Sequence, residues 1–150
     1  MREILLDVER KVREMMKTER YSHNAQLLSS VVGVGAVLSA LFVLEIGDVK
    51  RFKTFDKLNN FVGLCPDTHS SGETDRNTGI TSRRHKQLRT ALMEAAWEAK
   101  RTDPAMLEAY TKLTKRMEGK KAIIRIARKL LRRMRAVLIS DIPYQKGIVA

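Results

Sequence analysis

Residues 115–135 hold ten Lys or Arg and a single acid, Glu118. Lys121, Arg125, Arg128, Arg132 and Arg135 recur at alternating steps of four and three, which puts them on one face of an α-helix. Ile123, Ala127, Leu130, Met134 and Val137 recur at similar steps on another face. No Gly or Pro interrupts residues 120–138, so the spacing predicts one long amphipathic helix there. Such a helix has to bury its apolar side against other elements while its cations stay in water. That requirement points to a mainly α chain packed around this helix.

Composition agrees. Aromatics make up only 5% of the chain, so the core is built from Leu, Ile, Val, Met and Ala, which suit packed helices better than a β-sandwich. The net charge is +12, from 29 Lys or Arg against 17 Asp or Glu. An excess of this size, clustered as above, calls for an anionic partner. Nucleic acid is the first candidate and an anionic membrane surface, met by the final helix, the second. The lone Cys65 excludes a disulfide framework and fits a reducing cytoplasm. The uncharged run over residues 27–44 is interrupted by Gly33, Gly35 and several serines, and reads as a buried helical hairpin rather than a membrane span or signal peptide.

Along the chain, residues 1–21 read as a helix with near-balanced charge. Met1, Leu5, Val8, Val12 and Met15 form an a/d seam, the pattern of a coiled-coil arm that pairs copies of the chain. Two apolar segments, residues 25–31 and 36–46, follow on either side of Gly33-Val34-Gly35. The second is expected to bury Val37, Leu38, Leu41, Phe42 and Leu44. A basic connector with Lys50, Arg51 and Lys53 leads to a short helix capped by Asp56 and ending near Val62. Residues 63–84 read as a long polar loop, with short strands near residues 79–81. A helix over residues 85–102 buries Leu88, Leu92, Ala95, Ala96 and Ala99. Asp103-Pro104 restarts the chain as N-cap and first helical residue of a helix that Gly119 ends after Met117. The domain division is therefore an arm over residues 1–22, a domain over 23–142 and a tail over 143–150.

Three features bear on function. A short helix, a Gly-x-Gly turn and an apolar helix form a helix-hairpin-helix-like segment, in which Gly33 and Gly35 let backbone approach a phosphate and the next helix N-terminus holds it. A packing turn gives the same pattern. The basic face of the last helix offers guanidinium groups to phosphates, with no interleaved aromatics for base stacking. The loop carries Ser70-Ser71-Gly72, followed by Arg76, Arg83, Arg84, His85 and Arg89. A serine hydroxyl attacks a phosphodiester when a base takes its proton and cations hold the developing charge. His23, His69 and His85 lack metal-ligand spacing, and no phosphate loop with Gly-Lys-Ser/Thr occurs, so no metal or cofactor is expected on these residues.

An ordered series of short stretches resembles the C-terminal domain of the insertion sequence 110/116/902 family of transposases. They are Gly33-Val34-Gly35 with Ala40, Glu45-Ile46-Gly47-Asp48 with Arg51-Phe52, and Gly63-Leu64-Cys65-Pro66. Then follow Ser70-Ser71-Gly72, Gly79-Ile80-Thr81, Leu88-Arg89, Asp103-Pro104-Ala105 and Ala127-Arg128-Lys129-Leu130-Leu131. The series covers residues 27–138. The resemblance implies a DNA transposase or recombinase whose nucleophile is the serine before the glycine, Ser71, with Ser70 the neighbouring alternative. It also implies a bridge RNA that guides target choice, and a coiled coil ending within residues 1–21. Full-length members carry an N-terminal RuvC-like domain with four metal-binding acids. None of these is carried over here, so divalent metal (Mg) is expected only with that domain, and the chain is expected to be a truncated or split member. Many members have Pro where this chain has Val32, and Gly-Asn where it has Arg84-His85.

The resulting expectation is a transposase half that acts in the cytoplasm, at the nucleoid, and not at a membrane. Ser71 attacks DNA. Arg76, Arg83, Arg84 and Arg89 hold charge. Gly33, Gly35, Lys50, Arg51 and the stripe Lys121, Arg125, Arg128, Arg132 and Arg135 engage the backbone. The alternative is a DNA-binding fragment of such a transposase without catalysis of its own.

Overall fold

The computed structural model describes residues 1–65 and 85–146. Among these residues there are seven α-helices and no strand: α1 (Arg2–Met16), α2 (Glu19–Ser29), α3 (Ala36–Ile46), α4 (Phe55–Val62), α5 (Lys86–Thr102), α6 (Pro104–Thr114) and α7 (Gly119–Ser140), with one 3-10 turn at Val49–Arg51. The mainly α expectation holds. The strands expected near residues 79–81 and most of the polar loop lie outside the described residues.

The long helix α7 is the centre of the domain, packing against α2, α4, α5, α6 and the 3-10 turn. Ile126, Ala127, Leu130, Leu131 and Met134 are wholly buried, and Ile123 and Val137 nearly so. The α5 face is the expected one, with Leu88, Leu92, Ala95, Ala96 and Ala99 all buried against this core. Asp103 caps α6 as expected, accepting from the Ala105 N–H at 3.0 Å with Pro104 in the first turn.

Several boundaries differ. The helix expected over residues 1–21 breaks after Met16. Thr18 adopts an extended backbone as the N-cap of α2, and its hydroxyl turns back to the Met15 carbonyl at 2.7 Å. The α2 helix therefore starts six residues before the expected apolar segment at residue 25. In α4 the cap is Thr54, which accepts from the Lys57 N–H, and Asp56 lies inside the first turn. The α6 helix ends at Thr114, and Gly119 opens α7 instead of closing α6. A Cβ on Gly119 would come within 2.7 Å of the Tyr110 hydroxyl, at the end of that side chain. In α3 Leu38 and Phe42 are buried, but Val37 and Leu44 are about half exposed, and Val43 and Ile46 take their place. The α3 sequence is apolar all round, so periodicity could not say which side faces inward.

The α1 seam is divided. Met1, Leu5 and Val8 are exposed, whereas Val12 and Met15 pack with Met16 against Ala25 and Ala40. The tail is tied down where the sequence shows no pattern: the Tyr144 N–H donates to the Ser30 hydroxyl at 2.8 Å, and its own hydroxyl donates to Asp103 at 3.0 Å.

The turn between α2 and α3 uses its two glycines differently. Gly33 has φ of +90°, and a Cβ there would meet the Ala95 carbonyl oxygen at 2.7 Å and the Ala99 Cβ at 2.9 Å. Gly35 is the N-cap of α3, with φ of −89° and open space around it. Gly33→Ala is expected to lower stability by at least about 2 kcal/mol, combining left-handed strain with overpacking against α5. Gly35→Ala is expected to cost less than about 1 kcal/mol. Chemical denaturation of both variants checks this, and equal losses would contradict it.

Candidate nucleic-acid interface

The α7 cations divide by what surrounds them. Arg125, Arg128 and Arg132 line a groove of about 540 Å3 together with Lys129 and, from α6, Lys112. Phe55, Ala109, Leu113 and Ile126 supply its apolar surface. The Arg132 guanidinium lies 4.4 Å from the centre of the Phe55 ring, a cation–π contact that holds it at the rim. The Arg128 Nε is buried and has no hydrogen-bond partner. The Arg135 Nε, outside the groove, is buried without a partner in the same way. Lys112 also pairs with Glu108 at 2.5 Å, and this contact lowers the Glu108 pKa. No acid lines the groove itself.

Other members of the predicted set are placed elsewhere. Lys121 is exposed on the same helix but does not line the groove. Arg135 is half-buried and donates to the Phe52 carbonyl at 3.3 Å. Arg51 donates from Nε to the Ile46 carbonyl at 2.9 Å and stacks its guanidinium over Phe52 and Phe61. Both of these arginines hold the connector after α3 in place. Lys50 lines a hollow with His23, Asp48 and Asp141. Arg89 lines another with Gly63, Leu64 and Cys65, at the edge of the described residues. Gly33 and Gly35 occupy the turn described above. Ser70, Ser71, Arg76, Arg83 and Arg84 lie outside the described residues.

Sequence reasoning missed two arrangements. The first gathers Glu45, Phe61 and His85 beside that edge. His85 stacks on Phe61 with ring centres 3.9 Å apart, and its Nδ1 is 4.0 Å from a Glu45 carboxylate oxygen. The second is a buried ion pair, Asp103 with Arg133 at 2.5 Å, joined by Tyr144. It withdraws Arg133 from the cationic run. Both depend on contacts between residues at least 24 apart in sequence, which no local pattern signals.

Burial alone would raise the Asp103 pKa. Hydrogen bonds from Arg133, the Ala105 N–H and the Tyr144 hydroxyl, with the charge of Arg133, outweigh it and hold the carboxyl below its ordinary 3.8. Among the described residues no three His, Cys, Asp or Glu side chains gather where they could hold a metal ion. Nor, among them, is any helix long and apolar enough to cross a membrane.

A helical domain with a cation-lined groove beside its central helix is the class of protein that this geometry defines. Residues 25–112 match the Transposase IS116/IS110/IS902 family, and the chain belongs to that family. The match begins within α2 and ends within α6, so the grooved helix α7 lies beyond it. The chain is 32% identical over 143 residues to the pilin gene-inverting protein of Moraxella bovis, covering 87% of this chain and 42% of that protein. It is 32% identical over 139 residues to the insertion element IS900 42 kDa protein of Mycobacterium paratuberculosis, covering 89% and 34%. It is 31% identical over 83 residues to the transposase for insertion sequence element IS1111A of Coxiella burnetii, covering 55% and 23%. The chain thus spans less than half of the length of each of these relatives.

A lowered carboxyl pKa stabilises the fold above the unfolded value and loses that contribution as pH falls through the folded one. The Asp103 contribution should therefore be constant from neutral pH down to about 5 and disappear below the ordinary 3.8. Asp103→Asn should cost at least about 2 kcal/mol at pH 7, because Arg133 loses its partner. It should also flatten the acid side of the stability–pH curve. Urea midpoints measured from pH 7 to 2.5 check this, and parallel curves for the two proteins would contradict it.

Proposed function

We propose that this chain is the DNA-engaging part of a transposase, and that it holds the DNA backbone in the α6–α7 groove. The observation that carries the reading is the groove itself: five cations, one with a buried unpartnered N–H, and no acid among the lining residues. Membership of a transposase family makes DNA the anion of choice. Arg125, Arg128 and Arg132 position phosphates without reading bases. The reading puts the protein in the cytoplasm, at the nucleoid, with a bridge RNA as a second partner in target choice. The exposed Met1, Leu5 and Val8 end of α1 joins copies of the chain.

In this reading Ser71 is the nucleophile, on the strength of the family resemblance. Its hydroxyl oxygen bonds to a backbone phosphorus as the bond from phosphorus to the neighbouring nucleotide oxygen breaks. The hydroxyl proton leaves to a base, and the departing oxygen takes up a proton. The energy of the phosphodiester is kept in the protein–DNA link for strand transfer. Divalent metal belongs to the RuvC-like domain of full-length members. The alternative, a binding fragment without catalysis, shares the groove and differs only in this step.

Replacing Arg125, Arg128 and Arg132 together by Ala should weaken binding to all duplex sequences alike. It should make the dependence of log affinity on log salt shallower by about 0.9 for each phosphate that is no longer neutralised. Fluorescence anisotropy across a salt series measures both, and an unchanged slope would sink the groove assignment.

The serine assignment is tested with a suicide DNA substrate and the chain supplied with a RuvC-like domain. A denaturation-resistant adduct should form, vanish in Ser71→Ala with DNA binding intact, and persist in Ser70→Ala. An adduct that survives Ser71→Ala refutes it, and loss in Ser70→Ala alone moves the role to Ser70. No adduct in any variant favours the binding-fragment alternative.

A further inference from the structure

A second hollow, of about 600 Å3, opens between α1, α2 and α3, on different elements from the groove. Ala36, in the first turn of α3, lines it. That eleven-residue helix starts at Gly35, so no side chain caps its first-turn N–H groups. Ser39, one turn further on, also lines the hollow. It is 1% exposed, and its hydroxyl has no hydrogen-bond partner. Arg13 of α1 and Lys17, just after it, also line the hollow. Both are exposed, and Glu9 is 3.9 Å from the Arg13 guanidinium. No Asp or Glu lines the hollow.

We propose that this hollow is an anion site that holds one phosphate group between the N-terminus of α3, the Ser39 hydroxyl, and Arg13 with Lys17. The amides of an uncapped helix start and the partial positive charge of the helix dipole favour an anion there. The buried Ser39 hydroxyl adds a fixed donor whose lack of a partner in the free protein is unfavourable. Two cations on or just after a separate helix supply net charge. Donors from two separate elements suit a tetrahedral anion with several acceptor oxygens better than a planar carboxylate. The volume leaves room for the sugars on either side of a phosphodiester. The source assigned is the DNA backbone, which rests on the function proposed above, and the site gives DNA a second anchor at the junction of arm and domain. It also explains a division of labour in the glycine turn, where Gly33 packs against α5 and Gly35 leaves the α3 amides open.

The test is a titration of the whole chain with inorganic phosphate, followed by amide NMR, and then with a short DNA duplex. Saturable shifts are expected at the Ala36 and Val37 amides and should be abolished in Arg13→Gln/Lys17→Gln. Ser39→Ala should weaken phosphate binding several-fold while leaving the melting temperature unchanged or raised, because the hydroxyl it removes has no partner. No saturable shift at these amides, or shifts that survive the double variant, would overturn the site. With duplex, the double variant should make the salt dependence shallower by about 0.9 for each phosphate set free, in addition to the effect of the α7 triple variant. Phosphate that saturates the amides while duplex neither displaces it nor shows a shallower slope in the double variant would overturn the DNA source and leave a site for free phosphate. If the triple variant has no effect while the phosphate shifts persist, the groove reading fails and the anion site stands.

Discussion

Burial of one side of α7 organises the molecule. Eight of its residues are buried, and five other elements reach the domain core by packing on it. Fully burying a side chain of the size of Leu or Ile contributes about 1.5–3 kcal/mol, so the row from Ile123 to Met134 dominates the favourable side of folding. The same constraint fixes the electrostatics. A helix with cations at every third or fourth position cannot bury its apolar row without presenting the others to its rim. The basic groove is therefore a consequence of the core, with α6 and the start of α4 supplying its remaining walls.

One α7 cation drawn away from the groove is Arg133, which pairs with Asp103. Breaking such a pair by removing one partner costs more than the pair contributes over an apolar replacement. What Asp103 does is join parts: it caps α6, ties α6 to α7 through Arg133, and receives the tail through Tyr144. A charged group in this position fixes the register of α6 against α7. With α6 packed there, Lys112 lines the same groove as Arg125 and Arg128. The buried carboxylate thus acts on the interface through geometry, without touching it.

Legibility in the sequence follows the periodic signal. The apolar face of α7, the five buried positions of α5 and the Asp103 cap are local patterns, and the fold bears them out. The two glycines signal a turn, but the separate environments of Gly33 and Gly35 depend on α5, more than 60 residues away. In α3 an apolar surface on every side carries no direction, and Val37 and Leu44 end up exposed. The break at Thr18 is hidden because a continuous amphipathic pattern outweighs a single residue with cap preference. For the interface, three of the five stripe cations reach the groove. Charge alone singles out Arg135 and Arg51, yet their partners are backbone carbonyls and aromatic rings from neighbouring segments. Lys112 and Phe55 join the groove through tertiary packing, where charge runs give no signal.

If the two cationic surfaces hold phosphates as proposed above, their placement has a consequence for how the domain would engage DNA. Cations on α7 are held by a rigid core, whereas Arg13 and Lys17 sit on or just after α1, whose first half carries exposed Leu5 and Val8. Pairing of that half with another copy would fix the direction of α1 and with it the distance between the two surfaces. Side chains on a rigid scaffold give up less conformational freedom on binding than side chains on a free arm. Self-association and DNA affinity would then be coupled by linkage: whatever orders the arm strengthens the second anchor, and DNA held at both surfaces strengthens pairing by the same factor. On the function proposed above, a domain built this way would gain its full affinity for DNA only when assembled.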